Sequence, residues 1–329
     1  MKPTIRSIAQ VLELSPATIS KALSGRTEIS TETRTRVMRC AKEMGYFKNQ
    51  ASRKRVAILV ANPNDHSDIN STLLYDSMVG FRKDASRLQQ EVLMFTMDPH
   101  EQERETLDEF AQSHQLVGIF ISGLRINDPY YTQLATTKTP IAVLDVDVKN
   151  PYIGSVGTNS IAGGRLAVGY LATLGHKKIA FVNGRQDAYI SQERLAGYLG
   201  AMNSNGLDIA SALIFNGNYT AESGERAAEY FAKADATAIY FASDLMALGA
   251  VRRFRELGVN IPGDISLIGF DNLPICQGCM PALSTIAQDR IGLGKAACTV
   301  LYCLMQELPV HNVRLEPELV VRESTASPK

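Results

Sequence analysis

The sequence is poor in the features that mark secreted and membrane proteins. It has no tryptophan and only five cysteines, an odd number, among 329 residues. An odd count without a secretory signal argues against a disulfide framework. No apolar run approaches the roughly 18 residues that a membrane span needs, and the segment after Met1 lacks the apolar core of a signal peptide. We therefore expect a cytoplasmic protein without a membrane partner.

The motifs of common enzymes and metal sites are also missing. The sequence contains no GxGxxG after a strand and no GxxxxGK(S/T), GxSxG or HExxH motif, and its five histidines are scattered. Cys276 and Cys279 form a lone CxxC pair without the second ligand pair of a zinc site. We interpret them as unpaired thiols, and we expect no metal and no cofactor.

The chain as a whole has no net charge, but its two parts carry opposite net charges. The 34 basic residues balance the 34 acidic ones. Up to Arg55, however, the sequence has twelve bases and four acids, so the remainder is acidic. A small basic head on an acidic body points to a polyanionic partner for the head alone.

Three short helices are predicted in the head. The first follows Thr4, a predicted N-cap, and carries apolar residues at helical spacing. The second starts at the cap Ser15 with Pro16 in the first helical position, where a missing N–H costs nothing. The third starts at Ser30 and ends at Gly45. A tight turn between the first two helices is the geometry that lays the second in a major groove of DNA.

The exposed face of the second helix is suited to base contacts. Lys21 can donate to guanine, and Ala17 can touch a thymine methyl group. The remaining DNA-contact candidates in the three helices are Thr4, Ser15, Pro16, Thr18, Ser20 and Arg34. Ser15, Thr18 and Arg34 suit phosphate contacts, which position a protein without specifying sequence. A generic three-helix bundle with a solvated basic face is the alternative.

From Val56 onward, strand-like runs alternate with helical segments, which is typical of parallel sheets covered on both faces. About 275 residues of this pattern predict two lobes. Ligands in such folds bind beyond the carboxyl ends of the strands, where Ser122, Asp145, Asp244 and Asp271 stand. Carboxylates there suit a hydroxyl-rich ligand. Asp244 opens a helix, so capping of that helix is an equal alternative for it.

The head resembles that of the lactose-repressor/galactose-repressor (LacI/GalR) family of transcriptional regulators. Ala17-Thr18-Ile19-Ser20-Lys21 and the later Gly45-Tyr46 carry the resemblance, with Lys21 where the family often has arginine. The segments GTNSIAGGRLAVGYLATLGHKKIAFVNG, ASDLMALGAVRRFRELGVNIPGDISLIGFDNLP and PALSTIAQD extend it through the body. The resemblance implies a periplasmic-binding-protein fold, with two lobes joined by crossovers near 157–160, 286–290 and 316–320.

The resemblance also implies effector contacts in the body. Arg194, Tyr219, Asp271 and Gln288 match pocket residues of the family, whereas Asp145 and Asp244 are weaker matches. Ser243 and Thr158 depart from the family pattern, so the identity of the ligand does not transfer. The polar N-lobe loop around His66 also departs from it, and His66 is a contact candidate for a polar effector or a solvated loop residue.

The linker departs from the family as well. Family members have a hinge helix whose leucine wedges into the minor groove, but Arg55 stands at that position here. Asn49, Arg53 and Arg55 are DNA-contact candidates that suit phosphates or the minor groove. A solvated flexible linker is the alternative.

These observations predict an all-α helix-turn-helix head and an α/β two-lobed periplasmic-binding-protein-like domain with parallel sheets. The predicted parts are a DNA-binding domain (1–49), a short basic linker (50–55) and an effector-binding and dimerisation domain (56–329). Within that domain we expect an N-lobe of about 56–157 and 289–317 and a C-lobe of about 158–288 and 318–329.

The function expected of this arrangement is that of a homodimeric regulator, a repressor by default. Its partners would be double-stranded operator DNA and a small effector, a sugar or a nucleoside. An enzyme with an α/β core and a periplasmic transport receptor are the two alternatives. Salt-dependent, sequence-specific DNA binding would exclude both of them.

Overall fold

The computed structural model describes residues 4–23, 29–44, 54–62, 68–209 and 213–329. The chain divides into two compact units. The first comprises residues 1–54 with Gln89–Glu91, and the second comprises Arg55–Leu88 with Val92–Lys329. We call the three-helix part of the first unit the head and the second unit the body.

Twelve strands occur in the described residues. They are β1 (Arg55–Ala61), β2 (Glu91–Met97), β3 (Leu116–Ser122), β4 (Ile141–Leu144), β5 (Ile153–Thr158), β6 (Ile179–Asn183), β7 (Ile214–Asn216), β8 (Ala238–Phe241), β9 (Ser266–Asp271), β10 (Ser284–Ala287), β11 (Asn312–Leu315) and β12 (Glu318–Val320).

Thirteen helices occur in the same residues. They are α1 (Ile5–Leu12), α2 (Pro16–Leu23), α3 (Thr31–Glu43), α4 (Asp68–Arg87), α5 (Pro99–Gln102), α6 (Leu107–Ser113), α7 (Pro129–Gln133), α8 (Ser160–Thr173), α9 (Tyr189–Ser204), α10 (Ala221–Phe231), α11 (Asp244–Glu256), α12 (Ile275–Gly278) and α13 (Arg290–Leu304). None of the helices in these described ranges is long and apolar enough to cross a membrane.

The head is built by local capping and a small apolar core. Thr4 and Ser7 form a capping box at the start of α1. The Ser15 hydroxyl accepts the amide of Thr18 at 3.0 Å, as an N-cap of α2 does. The buried residues that hold the three helices together are Ile8, Ala9, Ile19, Ala22, Val37, Cys40 and Ala41. The predicted helix-turn-helix head is confirmed.

The body contains two six-stranded sheets. The N-lobe sheet has the order β11-β5-β4-β3-β1-β2, and the C-lobe sheet has the order β12-β10-β9-β8-β6-β7. The described strand pairs are parallel, except that β12 runs antiparallel to β10. The strand β12 follows β11 of the other sheet after only two residues.

The chain passes between the two sheets three times. It leaves β5 of the N-lobe at Thr158 and enters α8 of the C-lobe, and it returns from β10 at Ala287 to α13. The third passage joins β11 to β12. Cores lie on both faces of the N-lobe sheet because alternate residues of β1, such as Ala57 and Ile58, point to opposite faces. A larger core fills the C-lobe.

Two details differ from the sequence predictions. The helical pattern of residues 101–114 predicts one continuous helix, but α5 ends at Gln102 and α6 starts at Leu107, because Thr106 and Glu109 form a capping box that starts a new helix. Arg55, assigned to the linker, is the first residue of β1. Its guanidinium donates to the Gln115 side chain at 3.3 Å.

Candidate functional site

The DNA-contact candidates of α2 lie on one exposed face. Pro16, Ala17, Ser20 and Lys21 are exposed, whereas Ile19 of the same helix is fully buried. The helix thus turns short and basic side chains outward and keeps its apolar side for the head core. Such a surface can approach base edges in a major groove.

Some of the other predicted DNA-contact residues make contacts within the head itself. Thr4 and Ser15 cap α1 and α2, and the Ser15 and Thr18 hydroxyls lie 2.8 Å apart. Arg34, on α3, is half-buried. Asn49, Arg53 and His66 lie outside the described residues.

A cavity of about 270 Å³ lies between the two lobes of the body. It sits at the carboxyl ends of β1, β3 and β4 and faces the loops that follow β6 and β7, where ligands of such sheets bind. Its lining residues are 60–62, 74, 94, 96, 122–125, 144 and 145 from the N-lobe, and 185, 188–190 and 219 from the C-lobe.

The structure brings six of the predicted effector contacts to this region. Ser122, Asp145 and Tyr219 line the cavity itself. The other three, Arg194, Asp271 and Gln288, form a buried cluster with Tyr219 on the C-lobe side, as the distances below show.

Arg194 is the centre of this cluster. It comes from α9, is only 5% exposed, and donates from Nη1 to the carbonyl oxygen of Ala242 at 2.5 Å. Its guanidinium lies 4.0 Å from the centre of the Phe270 ring and 3.9 Å from the Asp271 carboxylate. The Nε atom is buried and has no partner in the described structure. A buried charge that is held this firmly but left partly unsatisfied can still bind a ligand.

Asp271 ends β9 in a strained conformation, with a φ angle of 121°. Its Oδ1 accepts from Gln288 Nε2 at 2.6 Å, and Gln288 Oε1 accepts from the Thr158 hydroxyl at 2.9 Å. Thr158 and Gln288 stand at two of the three crossovers between the lobes. The carboxylate is therefore connected by hydrogen bonds to the segments about which the lobes would rotate.

Burial controls the protonation of this carboxylate. Desolvation raises the pKa of Asp271 to about 7, although the Arg194 charge opposes that shift. Its Oδ2 is buried and lacks a partner among the described residues. A ligand hydroxyl that donated to Oδ2 would satisfy the orphaned atom and favour the charged form of the carboxylate.

Tyr219 forms the aromatic side of the cavity. Its hydroxyl lies 2.6 Å from the Ser191 hydroxyl, and its φ angle is 70°. The ring lies so close to Gly184 that a Cβ there would stand 1.9 Å from the ring carbon bearing the hydroxyl. Glycine at position 184 is thus required for the ring to lie over the cavity.

Asp145 lies at the opposite side of the cavity, at the end of β4. It is half-buried, and desolvation raises the pKa of its carboxyl while Arg194 and Arg314 oppose the shift. Arg314 of the N-lobe also reaches Glu193 of the C-lobe at 3.8 Å. Asp145 therefore brings an acidic group of the N-lobe to the cavity, near an ion pair that joins the two lobes.

Asp244 makes structural contacts that were not predicted. It is fully buried, accepts from the Leu273 amide at 2.8 Å and the Thr285 hydroxyl at 2.6 Å, and does not line the cavity. Ser243, not Asp244, caps α11. Asp244 therefore ties three segments of the C-lobe together. Its burial raises its pKa to about 6.

The neighbouring cysteines belong to the same packing. Cys276 is fully buried, and the Cys279 thiol donates to the carbonyl oxygens of Cys276 and Pro281. Both thiols are free. Within the described ranges, no group of three or more His, Cys, Asp or Glu side chains could hold a metal ion.

Sequence reasoning missed Arg290. Its Nε donates to Asp76 of α4 in the N-lobe at 2.8 Å, and its Nη1 donates to the Asp271 carbonyl in the C-lobe at 2.5 Å. A positive charge at the first position of α13 opposes the helix dipole, so it requires compensating acceptors. An arginine at the start of a predicted helix was therefore the feature of the sequence that could have indicated its role.

The loops at the mouth of the cavity were missed as well. Arg185 pairs with Asp187 through two hydrogen bonds of 2.9 and 2.7 Å. The Asp187 carbonyl accepts the Ile126 amide from the other lobe at 3.0 Å. These loop residues follow strands β3 and β6, and their position after a strand was the feature of the sequence that could have placed them at the cavity.

The fold and the cleft together define a class: a DNA-binding head joined to a two-lobed ligand-binding body. Comparison with known families agrees. Residues 4–49 match the model for bacterial regulatory proteins of the lacI family, and residues 168–325 match a periplasmic binding protein-like domain. The chain belongs to the lacI family of bacterial regulatory proteins.

Individual relatives match over almost the full length. The transcriptional repressor CytR of Escherichia coli (strain K12) is 29% identical over 331 residues, which cover 98% of this chain and 96% of CytR. The solved structure of a complex of the transcriptional regulator CelR with cellobiose has a TM-score of 0.75 and 27% identity, covering 98% and 99% of the two chains. The lac repressor dimer bound to operator, at 24% identity and a TM-score of 0.74, shows the same fold.

The function follows from these relationships. The chain is a DNA-binding transcriptional regulator and not an enzyme, because its full-length relatives are regulators of this kind.

Proposed function

We propose that the protein is a repressor that acts as a homodimer. Two α2 helices would enter adjacent major grooves of a near-palindromic operator. The basic head and the exposed face of α2, with Ala17, Ser20 and Lys21, support this role. The full-length similarity to the repressor CytR supports repression as the outcome. A regulator of this kind works in the cytoplasm.

The domain roles follow the predicted boundaries. Residues 1–49 bind DNA, and Asn49 and Arg53 add contacts to phosphates or to the minor groove. Residues 56–329 bind the effector and dimerise.

The effector in this proposal is a sugar or a nucleoside held in the interlobe cavity. The observation that carries the assignment is the pair of unpartnered buried polar atoms, Arg194 Nε and Asp271 Oδ2, behind Tyr219. The cellobiose complex of the similar regulator CelR supports a hydroxylated ligand. Rotation of the lobes on binding would alter the spacing of the two heads, and a coupling of about 1–3 kcal/mol is sufficient for regulation.

The test combines ligand screening with a gel shift on the region upstream of the protein's own gene. Sugars and nucleosides that raise the melting temperature are candidate effectors, because a ligand of the folded state stabilises it. A true effector should change the operator affinity of the wild type about 5–150-fold. The variant Asp271→Ala should bind the operator normally without that response.

The control for this experiment is Asp208→Ala, an exposed position remote from the cavity lining. It should respond like the wild type. Equal, weak binding to every duplex, with and without each compound, would refute the proposed function. A normal response of Asp271→Ala would instead place the effector elsewhere.

A further inference from the structure

Three charged side chains lie near one another at the edge of the cleft where β4, β5 and β11 are neighbours. Arg314 is on β11 of the N-lobe, and Asp145 follows β4 of the same lobe. Glu193 is on α9 of the C-lobe. The Arg314 Nη2 atom lies 3.8 Å from Glu193 Oε1, so the guanidinium reaches from one lobe to the other.

Gly157 of β5 leaves the room for this arrangement. It is the register partner of Arg314 on β11, and the Asp145 amide donates to the carbonyl oxygen of the preceding residue, Val156, at 2.8 Å. A Cβ at position 157 would lie 2.6 Å from Asp145 Oδ1 and 3.5 Å from Arg314 Nη1. The Asp145 carboxylate and the Arg314 guanidinium therefore share the space beside one glycine.

Arg314 is held in this position by the N-lobe. Its Nη1 donates to the Ser155 hydroxyl at 2.9 Å. The Arg314 side chain is 18% exposed and that of Glu193 is 19% exposed, so salt and water screen their charges only partly. A guanidinium keeps its charge at every pH at which the protein is folded. Arg314 is therefore a fixed positive charge beside one carboxyl group of each lobe.

Asp145 and Glu193 bring two carboxyl groups of like charge to this edge of the cleft. Burial raises the pKa of both, and Arg314 opposes the rise in each of them. Asp145 itself raises the pKa of Glu193. Like charges in a partly buried place repel unless an opposite charge lies close to them. The other charged or titratable groups around the pair are Asp147, Tyr189, Arg194 and Tyr219.

We propose that Arg314 is a positioning residue that permits the two lobes to close, because it neutralises the carboxylates of Asp145 and Glu193 that closure brings together. Without Arg314 the closed arrangement would place two unbalanced negative charges beside each other. The regulatory consequence rests on the proposed function: in a protein without Arg314, the binding of an effector would also have to overcome this repulsion.

The amide of Ile126 reports on closure. It lies in the loop after β3 of the N-lobe and donates to the Asp187 carbonyl oxygen of the C-lobe at 3.0 Å. The strand β3 is three strands away from β11 in the N-lobe sheet, which corresponds to about 14 Å. Faster exchange of this amide therefore indicates that the lobes separate, and not only that the surroundings of Arg314 loosen.

Hydrogen exchange of the ligand-free full-length protein, read at single-residue resolution, tests the proposal. At a pH of about 7.5, Arg314→Gln should accelerate exchange of the Ile126 amide about fivefold or more, because the two carboxylates are left unbalanced. Glu193→Gln alone should change the rate less than about twofold, since the lost attraction to Arg314 is offset by the relief of a buried charge.

The double variant is the decisive one. Glu193→Gln added to Arg314→Gln should return the exchange rate to within about twofold of the wild type, because one of the two repelling charges is then absent. Lys178→Gln is the matched control. It removes one charge from an exposed ion pair with Asp235 within the C-lobe, and it should leave the Ile126 amide unchanged. Thermal melts establish that each variant is folded.

The pH profile separates neutralisation of charge from packing. Protonation of Asp145 and Glu193 removes their repulsion, so the excess exchange of Arg314→Gln over the wild type should decline as the pH falls from about 7.5 to about 5.5. Comparison with the wild type at each pH removes the intrinsic pH dependence of amide exchange. Arg314→Lys keeps the charge, and at a pH of about 7.5 it should lie closer to the wild type than Arg314→Gln does.

Two results would overturn the inference. One is exchange of the Ile126 amide at the same rate in Arg314→Gln and the wild type, including unprotected exchange in both. The other is an acceleration that neither Glu193→Gln nor acid reduces, which would assign Arg314 to packing. In either case specific, effector-sensitive operator binding in the gel shift would show that the proposed regulatory function still stands. Equal, weak binding to every duplex would instead count against the proposed function.

Discussion

The two lobes of the body have sheets of the same size but present different side chains at the cleft. The N-lobe lines it with Ser122, Asp145 and several apolar residues, namely Val60, Leu74, Met94, Leu124 and Leu144, whereas the C-lobe holds the buried Arg194 and Asp271 behind Tyr219. The comparison indicates that the two lobes contribute differently to ligand binding. A buried ionic cluster orients a polar ligand with high directional specificity, and an apolar surface contributes affinity without direction.

This difference also predicts that the lobes differ in stability. The C-lobe buries the acidic groups of Asp244 and Asp271, and burial raises the pKa of both. The N-lobe interior shows no comparable acidic pair among its described buried residues. Perturbed ionisable groups of this kind concentrate at functional sites, where stability is given up for binding.

The largest effect on stability is expected from a substitution of Asp244 in the C-lobe. Asp244→Ala leaves the Leu273 amide and the Thr285 hydroxyl without their acceptor. Two buried unsatisfied donors should lower the free energy of unfolding by about 2–5 kcal/mol. Urea denaturation measures the change. Asp208→Ala, at an exposed site, should stay within about 0.5 kcal/mol of the wild type. Equal stability of the two variants would show that the hydrogen bonds of Asp244 do not stabilise the fold.

The second effect is the pH dependence that Asp271 of the C-lobe contributes to stability. The pKa of Asp271 in the folded state is about 7, above its ordinary value of 3.8. The folded state therefore keeps a proton that the unfolded chain loses, and stability falls as pH rises from about 4 to about 7.

Asp271→Asn tests that dependence because the amide is neutral throughout this range. The fall in unfolding free energy between pH 4 and 7 should be about 1–3 kcal/mol smaller in the variant than in the wild type. The residual slope should come from other carboxyl groups whose pKa burial raises, such as Asp244, with a pKa of about 6, and Asp145. Superimposable pH profiles of the two proteins would show that Asp271 does not titrate in this interval.

The sequence predicted best what local chemistry determines. The head helices start at Thr4, Ser15 and Ser30 because a cap and its partner lie three residues apart. The strands from β1 to β9 that carry long β-branched runs were likewise predictable. Short or edge strands such as β7 and β12 were not, since three residues give no periodicity.

Residues of the site were predictable only where one continuous segment contains the motif that identifies them. Asp145, Arg194 and Tyr219 follow from their motifs, and each stands at the cleft. The apolar part of the cavity lining was not predicted, because Val60, Leu74, Met94, Leu124 and Leu144 come from five segments that meet only after folding. The hydrogen bonds of Asp244 were not predicted for the same reason, since its partners lie at 273 and 285.

The smallest effect concerns Arg290, which connects the two contrasted lobes. It joins Asp76 of α4 to the Asp271 carbonyl, and α4 and α13 are so close that a Cβ on Gly294 would stand 1.8 Å from the Ser77 carbonyl oxygen. Arg290→Ala should destabilise the protein by about 1–2 kcal/mol through two lost charge-assisted hydrogen bonds. Arg87→Ala, which removes an exposed ion pair, should cost less than about 0.5 kcal/mol.

Hydrogen exchange distinguishes a connection between lobes from local packing. If Arg290 couples them, Arg290→Ala should accelerate amide exchange both in α4 around Asp76 and at Asn272, whose amide donates to Thr285. These amides lie in different lobes, so a purely local packing defect in α13 would affect only the first set. Acceleration limited to α4 would instead show that Arg290 does not couple the two lobes, and that Asp271 is oriented from within the C-lobe.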